Sequence, residues 1–294
     1  MTEFTERQIW YLHKEFGASL RSVTNFADRP SEYEGFLRDK VAEVNADRLP
    51  RIFREPESHP LSHSIITIRP RPDSHAMRWK EFASRRVFKM LWEQHAKNRL
   101  DLTSAFYDVF RSHAIGPASA GWIFEFRIHQ VLTERQTLQL LRMQGHVAGV
   151  DYVYETTPDR IALELAASSE ATFVEGADLQ PNKYYRLDSD TLPGIDSLLL
   201  VTPSDASLPI LLMFQITHNR SDHDMNLADL EKVDRLGAPP STRRYRVVVT
   251  PEGIHPKITV PAKYFEDAGL RELTSDEAFP VFHYPLRTDE LFGG

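Results

Sequence analysis

The chain has 294 residues, enough for one large domain or two ordinary ones with a sizeable core. Its 41% hydrophobic content is near the globular norm, and its formal net charge of -7 leaves any nucleic-acid role to a local basic face rather than to bulk charge. There is no cysteine, which excludes disulfides, zinc–thiolate sites and thiol nucleophiles and suits a reducing compartment. No apolar run approaches the roughly 20 residues of a membrane span, and the polar, acidic start (Met-Thr-Glu-Phe-Thr-Glu-Arg) is not a secretory signal. These features favour an intracellular protein, nuclear or cytoplasmic, without a membrane partner. No repeat of solenoid or propeller spacing occurs.

In chain order, Ile9, Trp10, Leu12, Phe16 and Leu20 recur at helical spacing and predict a helix over 5–26, which Gly17 can split in two. A second amphipathic helix is predicted over 31–48, carried by Tyr33, Phe36, Leu37, Val41 and Val44. Residues 64–69 are a short strand candidate stopped by Pro70 and Pro72. Helices over 76–98 and 100–112 follow, so residues 1–113 are expected to be mainly helical with one β element. The first of these two helices would carry Arg78, Lys80, Arg85, Arg86 and Lys89 as a basic patch, read as a solvated face in preference to a phosphate-contacting one.

Small residues at Pro117–Gly121 mark a domain boundary, with 114–294 as the second domain. Ser119 is placed to cap a helix from Trp122 to about Thr133, in which Glu125 lies inside an apolar stripe. Residues 137–143 and 149–155 are β-like, 159–167 and 171–174 are ambiguous, and 183–187 alternate as a strand. Gly194–Thr217 then reads as a buried β-hairpin. A polar turn over 218–223, a helix over 224–236 stopped by Gly237, and a strand over 244–250 follow. The tail holds a strand near 258–260, a short helix near 262–270 and a loop-rich end. This order predicts an α/β (α+β) fold, a mixed sheet flanked by helices.

The hairpin carries the main chemical signal. Asp196 opens its first strand, and Gln215 and Thr217 close its second. In an antiparallel pair the start of one strand lies beside the end of the next, so Asp196 and Gln215 are expected side by side. Carboxylates and carboxamides at buried strand ends are costly unless used. With Glu125 from the helix and the carbonyl of Ile216, they form a set of hard oxygen donors suited to Mg²⁺ or Mn²⁺. Such an ion would activate water and polarise a phosphoryl oxygen. A lone glutamate in an apolar stripe is more often ion-paired or partly exposed than a ligand.

This arrangement resembles the restriction-endonuclease-like PD-(D/E)XK superfamily. There an Asp at one strand start is followed on the next strand by Asp/Glu/Gln-x-Lys. Asp196 and Gln215 match the Asp and the first position of the second motif, Glu125 matches the acidic residue of the preceding helix, and Thr217 stands where the lysine belongs. His218, Arg220, His223 and Lys232 are nearby candidates for the missing positive charge. A second resemblance is to fungal Crinkler and retrotransposon-hot-spot-like proteins. It rests on Ser119–Glu125 with His129, Gly194-Ile195-Asp196-Ser197, and Phe214-Gln215-Ile216-Thr217 with His223 downstream. It implies that 1–113 is similar to the C-terminal part of a P-loop ATPase-like module, Arg21 included, and that 114–294 is the nuclease-like domain. No Gly-x-x-x-x-Gly-Lys-Ser/Thr occurs, so no nucleotide is expected through a P-loop.

Two functions remain open at this point. One is a metal-dependent nuclease acting on DNA phosphodiesters. The other is a non-catalytic descendant that binds nucleic acid or a protein partner, as an effector or a mobile-element relic. The chain lacks a Gly-x-Ser-x-Gly elbow and a dinucleotide fingerprint, and its histidine pair at 218 and 223 does not have zinc-protease spacing. The patch at 78–89 and Arg243, Arg244 and Arg246 are the candidate surfaces for nucleic acid.

Overall fold

A computed structural model describes residues 5–17, 19–44, 52, 62–71, 74–96, 117–148, 151–165, 169–174, 176, 178–187, 194–202, 208–218, 223–224, 236–239, 241–261, 280–287 and 290–291. The chain divides into a smaller unit, Met1–Phe124 with Phe292–Gly294, and a larger one, Glu125–Leu291. The division falls within a helix, rather than at the break before it. Among the described residues no helix is long and apolar enough to cross a membrane.

In the smaller unit, α1 (Glu6–Phe16) starts in a capping box between Thr5 and Gln8 and ends at Gly17, whose φ of 62° is left-handed. The split foreseen at Gly17 is therefore present, and α2 (Leu20–Phe26) restarts from a Ser19 cap. Gly17 has a second constraint: a β-carbon there would overlap the carbonyl of Ala83. Then α3 (Pro30–Ala42) buries Tyr33, Leu37 and Val41. A single turn, α4 (Ser62–Ile65), leads into β1 (Ile66–Arg71).

The helix expected over 76–98 is corrected in its first half. Residues Ser74–Phe82 form β2, antiparallel to β1, and only Arg85–Leu91 is α-helical (α5), followed by a π-helical turn over Trp92–Ala96. Cross-strand pairing decided this, and no helical periodicity can register it. Ser84 then resets the chain: its hydroxyl caps α5 at Val87 N–H and donates to the Glu15 carbonyl near the end of α1, at 3.2 and 2.6 Å. The basic patch is accordingly split between a strand and a helix, and Arg86 is engaged by Glu34 at 2.6 Å and Glu15 at 3.6 Å. The expected helix over 100–112 lies outside the described residues.

Helix α6 (Pro117–Glu134) begins before Trp122. Ser119 is not its cap: it is fully buried, and its hydroxyl accepts from the Phe82 N–H at 2.9 Å. After α6 come β3 (Thr137–Ala148), β4 (Asp151–Glu164), β5 (Ser169–Thr172), β6 (Lys183–Arg186), β7 (Ser197–Val201), β8 (Ile210–Ile216), β9 (His223–Asp224), β10 (Arg243–Pro251), β11 (Ile258–Pro261) and β12 (Val281–Leu286). They form one mixed sheet in the order β5-β6-β7-β8-β10-β12-β3-β4-β11-β9. Strands β6, β7 and β8 run antiparallel in turn, whereas β8, β10 and β12 are mutually parallel. Every residue of β7 and the first five of β8 are buried, as apolar runs of that length require.

Parallel pairing of β8 and β10 demands a crossover, which residues 217–242 supply. The helix expected there and the one near 262–270 fall outside the described residues, apart from His223–Asp224, which pair with Ile258–Thr259 of β11. From Ile216 to His223 the chain can reach at most about 25 Å. Six strand spacings across a flat sheet need about 29 Å, so the sheet curves between β8 and β9.

The tail expected to be loop-rich instead contributes β12, a central strand paired on both sides. Pro280 and Pro285 and the embedded His283 masked it in the sequence. His283 is 1% exposed and uses both ring nitrogens, Nε2 with the Thr250 hydroxyl at 2.7 Å and Nδ1 with the Thr156 hydroxyl at 3.2 Å. Burial, with His255 nearby, lowers its pKa to about 4.

Two outcomes follow for stability. Gly17→Ala should lower the stability of the smaller unit by about 2 kcal/mol in urea unfolding, from left-handed strain and the clash with Ala83. Because His283 is harder to protonate when folded than when unfolded, its contribution is complete above about pH 6.5 and shrinks as pH falls toward 4. Unfolding free energy measured over that window should drop by roughly 3 kcal/mol through this group, and His283→Gln should flatten that part of the profile.

Candidate functional site

The site is built at the open end of the β7–β8 hairpin. Ser197 pairs with Phe214, so Asp196 and Gln215 do lie at the same end of adjacent antiparallel strands. The backbone at Asp196 departs from a regular ladder. Its N–H donates to the Phe214 carbonyl at 2.8 Å on one side, while its own carbonyl accepts from Leu187 N–H at 3.0 Å on the other. N–H and C=O pointing to opposite neighbours is the behaviour of a bulged residue, which re-aims its side chain. The Asp196 carboxylate accordingly turns to the end of β8, where Oδ2 accepts the Ile216 N–H at 2.6 Å. A backbone N–H bonded to a carboxylate is a charge-assisted bond, stronger than one between neutral groups.

Thr217 continues the ladder on the far side, donating its N–H to the Val249 carbonyl at 2.9 Å. Since successive residues of a strand address alternate edges, the Ile216 carbonyl faces the Asp196 side. Thr217 and His218 are half-buried just beyond β8. Arg220 and Lys232 lie outside the described residues. His223 is not in a turn: its backbone belongs to β9.

The amide of Gln215 has a specific partner. Its Oε1 accepts from Nη2 of Arg246 at 2.6 Å, and the same nitrogen donates to the Gly194 carbonyl at 3.0 Å. Arg246 comes from β10 and is 3% exposed. It is thus not the surface arginine the sequence suggested; Arg243 is exposed and Arg244 half-buried. Gly194 carries φ of 75°, and a β-carbon there would meet the Arg246 guanidinium at 3.4 Å, so the glycine serves both the turn and the arginine.

Glu125 and His129 lie one turn apart on α6. His129 is buried, with Nδ1 2.6 Å from the Tyr184 hydroxyl and Nε2 3.4 Å from the Glu125 carboxylate. The Tyr184 hydroxyl donates to Ser197 Oγ at 2.7 Å. This polar chain ties α6 to β6 and to the residue next to Asp196. Burial chiefly, and then the Asp196 and Glu125 carboxylates, push the Tyr184 phenol well above its usual range, although Ser197 and Arg186 act in the opposite direction. Arg186 of β6 stacks on Phe126 of α6, its guanidinium carbon 3.7 Å from the ring centroid.

Of the expected residues, the fold brings together Asp196, Gln215 and Ile216 at one strand end, while Glu125 lies on α6 against His129. No group of three or more His, Asp or Glu side chains spaced for a metal occurs among the described residues. Sequence reasoning missed Tyr184, Ser197 and Arg186 as site residues and misplaced Arg246. Lys183–Leu187 was legible as a strand, but only its register against β7 puts Tyr184 and Arg186 beside Ser197.

Tyr184→Phe should cost about 1–3 kcal/mol in denaturant unfolding, because it leaves His129 and Ser197 buried without their shared partner. A change below about 0.5 kcal/mol would show that the chain is not structurally coupled. Comparison of the chain with family models, with curated proteins and with solved structures returns no match.

Proposed function

We propose that the larger unit is a nuclease-like domain of the restriction-endonuclease type, hydrolysing DNA phosphodiesters with a divalent metal at the Asp196 strand end. The observation that carries the reading is the placement of Asp196 at the start of β7 against the end of β8, with β8 parallel to β10 and α6 supplying Glu125. The strands β6-β7-β8-β10, antiparallel as far as β8 and parallel from β8 to β10, form part of the mixed sheet on which the reading rests. The likeness to Crinkler and retrotransposon-hot-spot-like proteins, and of residues 1–113 to the end of an ATPase-like module, belongs to the same proposal.

The donor chemistry fits Mg²⁺ or Mn²⁺ with a smaller ligand set than expected. Asp196, Glu125 and the Ile216 carbonyl are hard oxygen donors, and Mg²⁺ commonly takes one or two carboxylates and completes its shell with water. When bound, the ion polarises a phosphoryl oxygen and lowers the pKa of a coordinated water. Gln215 is better assigned as the anchor of Arg246 than as a ligand. Arg246 then supplies the fixed positive charge that Thr217, with only a hydroxyl, does not. His129 orients Glu125 from within the helix, and the Ile216 N–H orients Asp196.

One observation favours a second reading. The guanidinium already holds the amide oxygen expected on a metal, which suits a domain that binds nucleic acid or a partner without cleaving. Incubation of plasmid DNA with Mg²⁺ or Mn²⁺ separates the two. Wild-type protein should nick the plasmid, and Asp196→Ala should lose about 10²–10³-fold in rate. Arg246→Lys should retain more activity than Arg246→Ala. Equal cleavage by wild type and Asp196→Ala would remove Asp196 from the chemistry, and no metal-dependent cleavage by wild type would leave the non-catalytic reading.

A further inference from the structure

We infer that the β1–β2 hairpin of the smaller unit is a DNA-contacting ribbon that enters the major groove of duplex DNA. The hairpin is a two-stranded sheet by itself, and its burial is graded along its length. At its base Ile66 and Phe82 are 5% and 2% exposed and face each other across the pair. Farther out Ile68, Arg69, Pro70 and Arg78 are exposed, and Lys80 is half-buried. The hairpin is therefore rooted in a core at its base and exposed farther along at Ile68, Arg69, Pro70 and Arg78.

Its charge is opposite to that of the chain. The sequence from Ile66 to Phe82 carries Arg69, Arg71, Arg78 and Lys80 against Asp73 and Glu81, within a protein of net charge -7. Glu81 lies at the buried base and pairs with Arg69 at 3.6 Å. The register places Ile68 opposite Lys80 and Pro70 opposite Arg78. Opposed residues share a face, so Arg78 and Lys80 lie on one side of the ribbon and Arg69 on the other. A two-stranded ribbon is of a size that the B-form major groove admits, and cations on both sides can then reach the phosphates of both groove walls. A flat basic patch on one helix, the arrangement expected from sequence, could meet only one.

The inference does not depend on cleavage, so binding is measured with Asp196→Ala as background. Fluorescence-anisotropy titration of a labelled 20-base-pair duplex over a range of NaCl concentrations reads both affinity and its salt dependence. Replacing two phosphate-contacting residues, in Arg78→Gln with Lys80→Gln, should weaken binding about tenfold near 0.1 M salt. It should also reduce the slope of log K against log salt by about 2, equally for unrelated sequences. Arg160→Gln, at an exposed position of β4 in the other unit, should leave both unchanged. If the double variant loses its wild-type melting profile, each single substitution is tested for a slope loss of about 1. Binding by the variant equal to the background, absence of duplex binding by the background protein, or loss confined to single-stranded RNA would each overturn the inference.

Discussion

Closing the end of a buried hairpin is the constraint on which the larger unit depends. Strands β7 and β8 are apolar and enclosed, and at their half-buried open end the polar groups are satisfied by neighbouring side chains. Asp196 does this for Ile216, and Arg246 does it for Gly194 and Gln215. A carboxylate and a guanidinium are the strongest hydrogen-bonding groups available for the purpose, and each is expensive to bury without partners. The same closure concentrates charge at one point on the sheet, which is how a structural need and a chemical site come to share residues.

The parallel strand β10 makes this arrangement possible. Arg246 reaches Gln215 only because β10 is parallel to β8 in a register that sets it opposite Met213, two residues from Gln215 on the same face. From the other direction, Tyr184 and Ser197 connect the strand end to His129 and Glu125 on α6. A hydrogen-bonded chain thereby ties Glu125 and His129 of α6 to the residue beside Asp196. Preorganisation of this kind is what distinguishes a site from a scatter of polar residues.

The smaller unit is organised by tight local joints. Gly17 brings the end of α1 against the Ala83 backbone, and Ser84 joins the cap of α5 to the Glu15 carbonyl. These contacts root the β1–β2 hairpin, whose Arg69, Pro70 and Arg78 are exposed. Arg86 is held by Glu34 and Glu15, which takes one member of the basic sequence cluster out of any surface role.

Sequence alone was sufficient for the β7–β8 hairpin, the break at Gly17, the β6 strand and the adjacency of Asp196 and Gln215. In each case the signal is local: an apolar run with a polar end, a glycine inside a helical pattern, or the geometry of one antiparallel turn. What sequence could not reach depended on pairing between distant segments. Residues 74–82 were mistaken for helix because a strand of mixed polarity is recognisable only with its partner. Strand β12 was hidden by its prolines and His283, and becomes intelligible once Thr250 and Thr156 are seen to satisfy the imidazole. Arg246 read as one of three basic residues on a strand end. Its burial on Gln215, and with it the electrostatics of the site, was decided by the parallel register of β8 and β10, a tertiary choice that no spacing within either strand encodes.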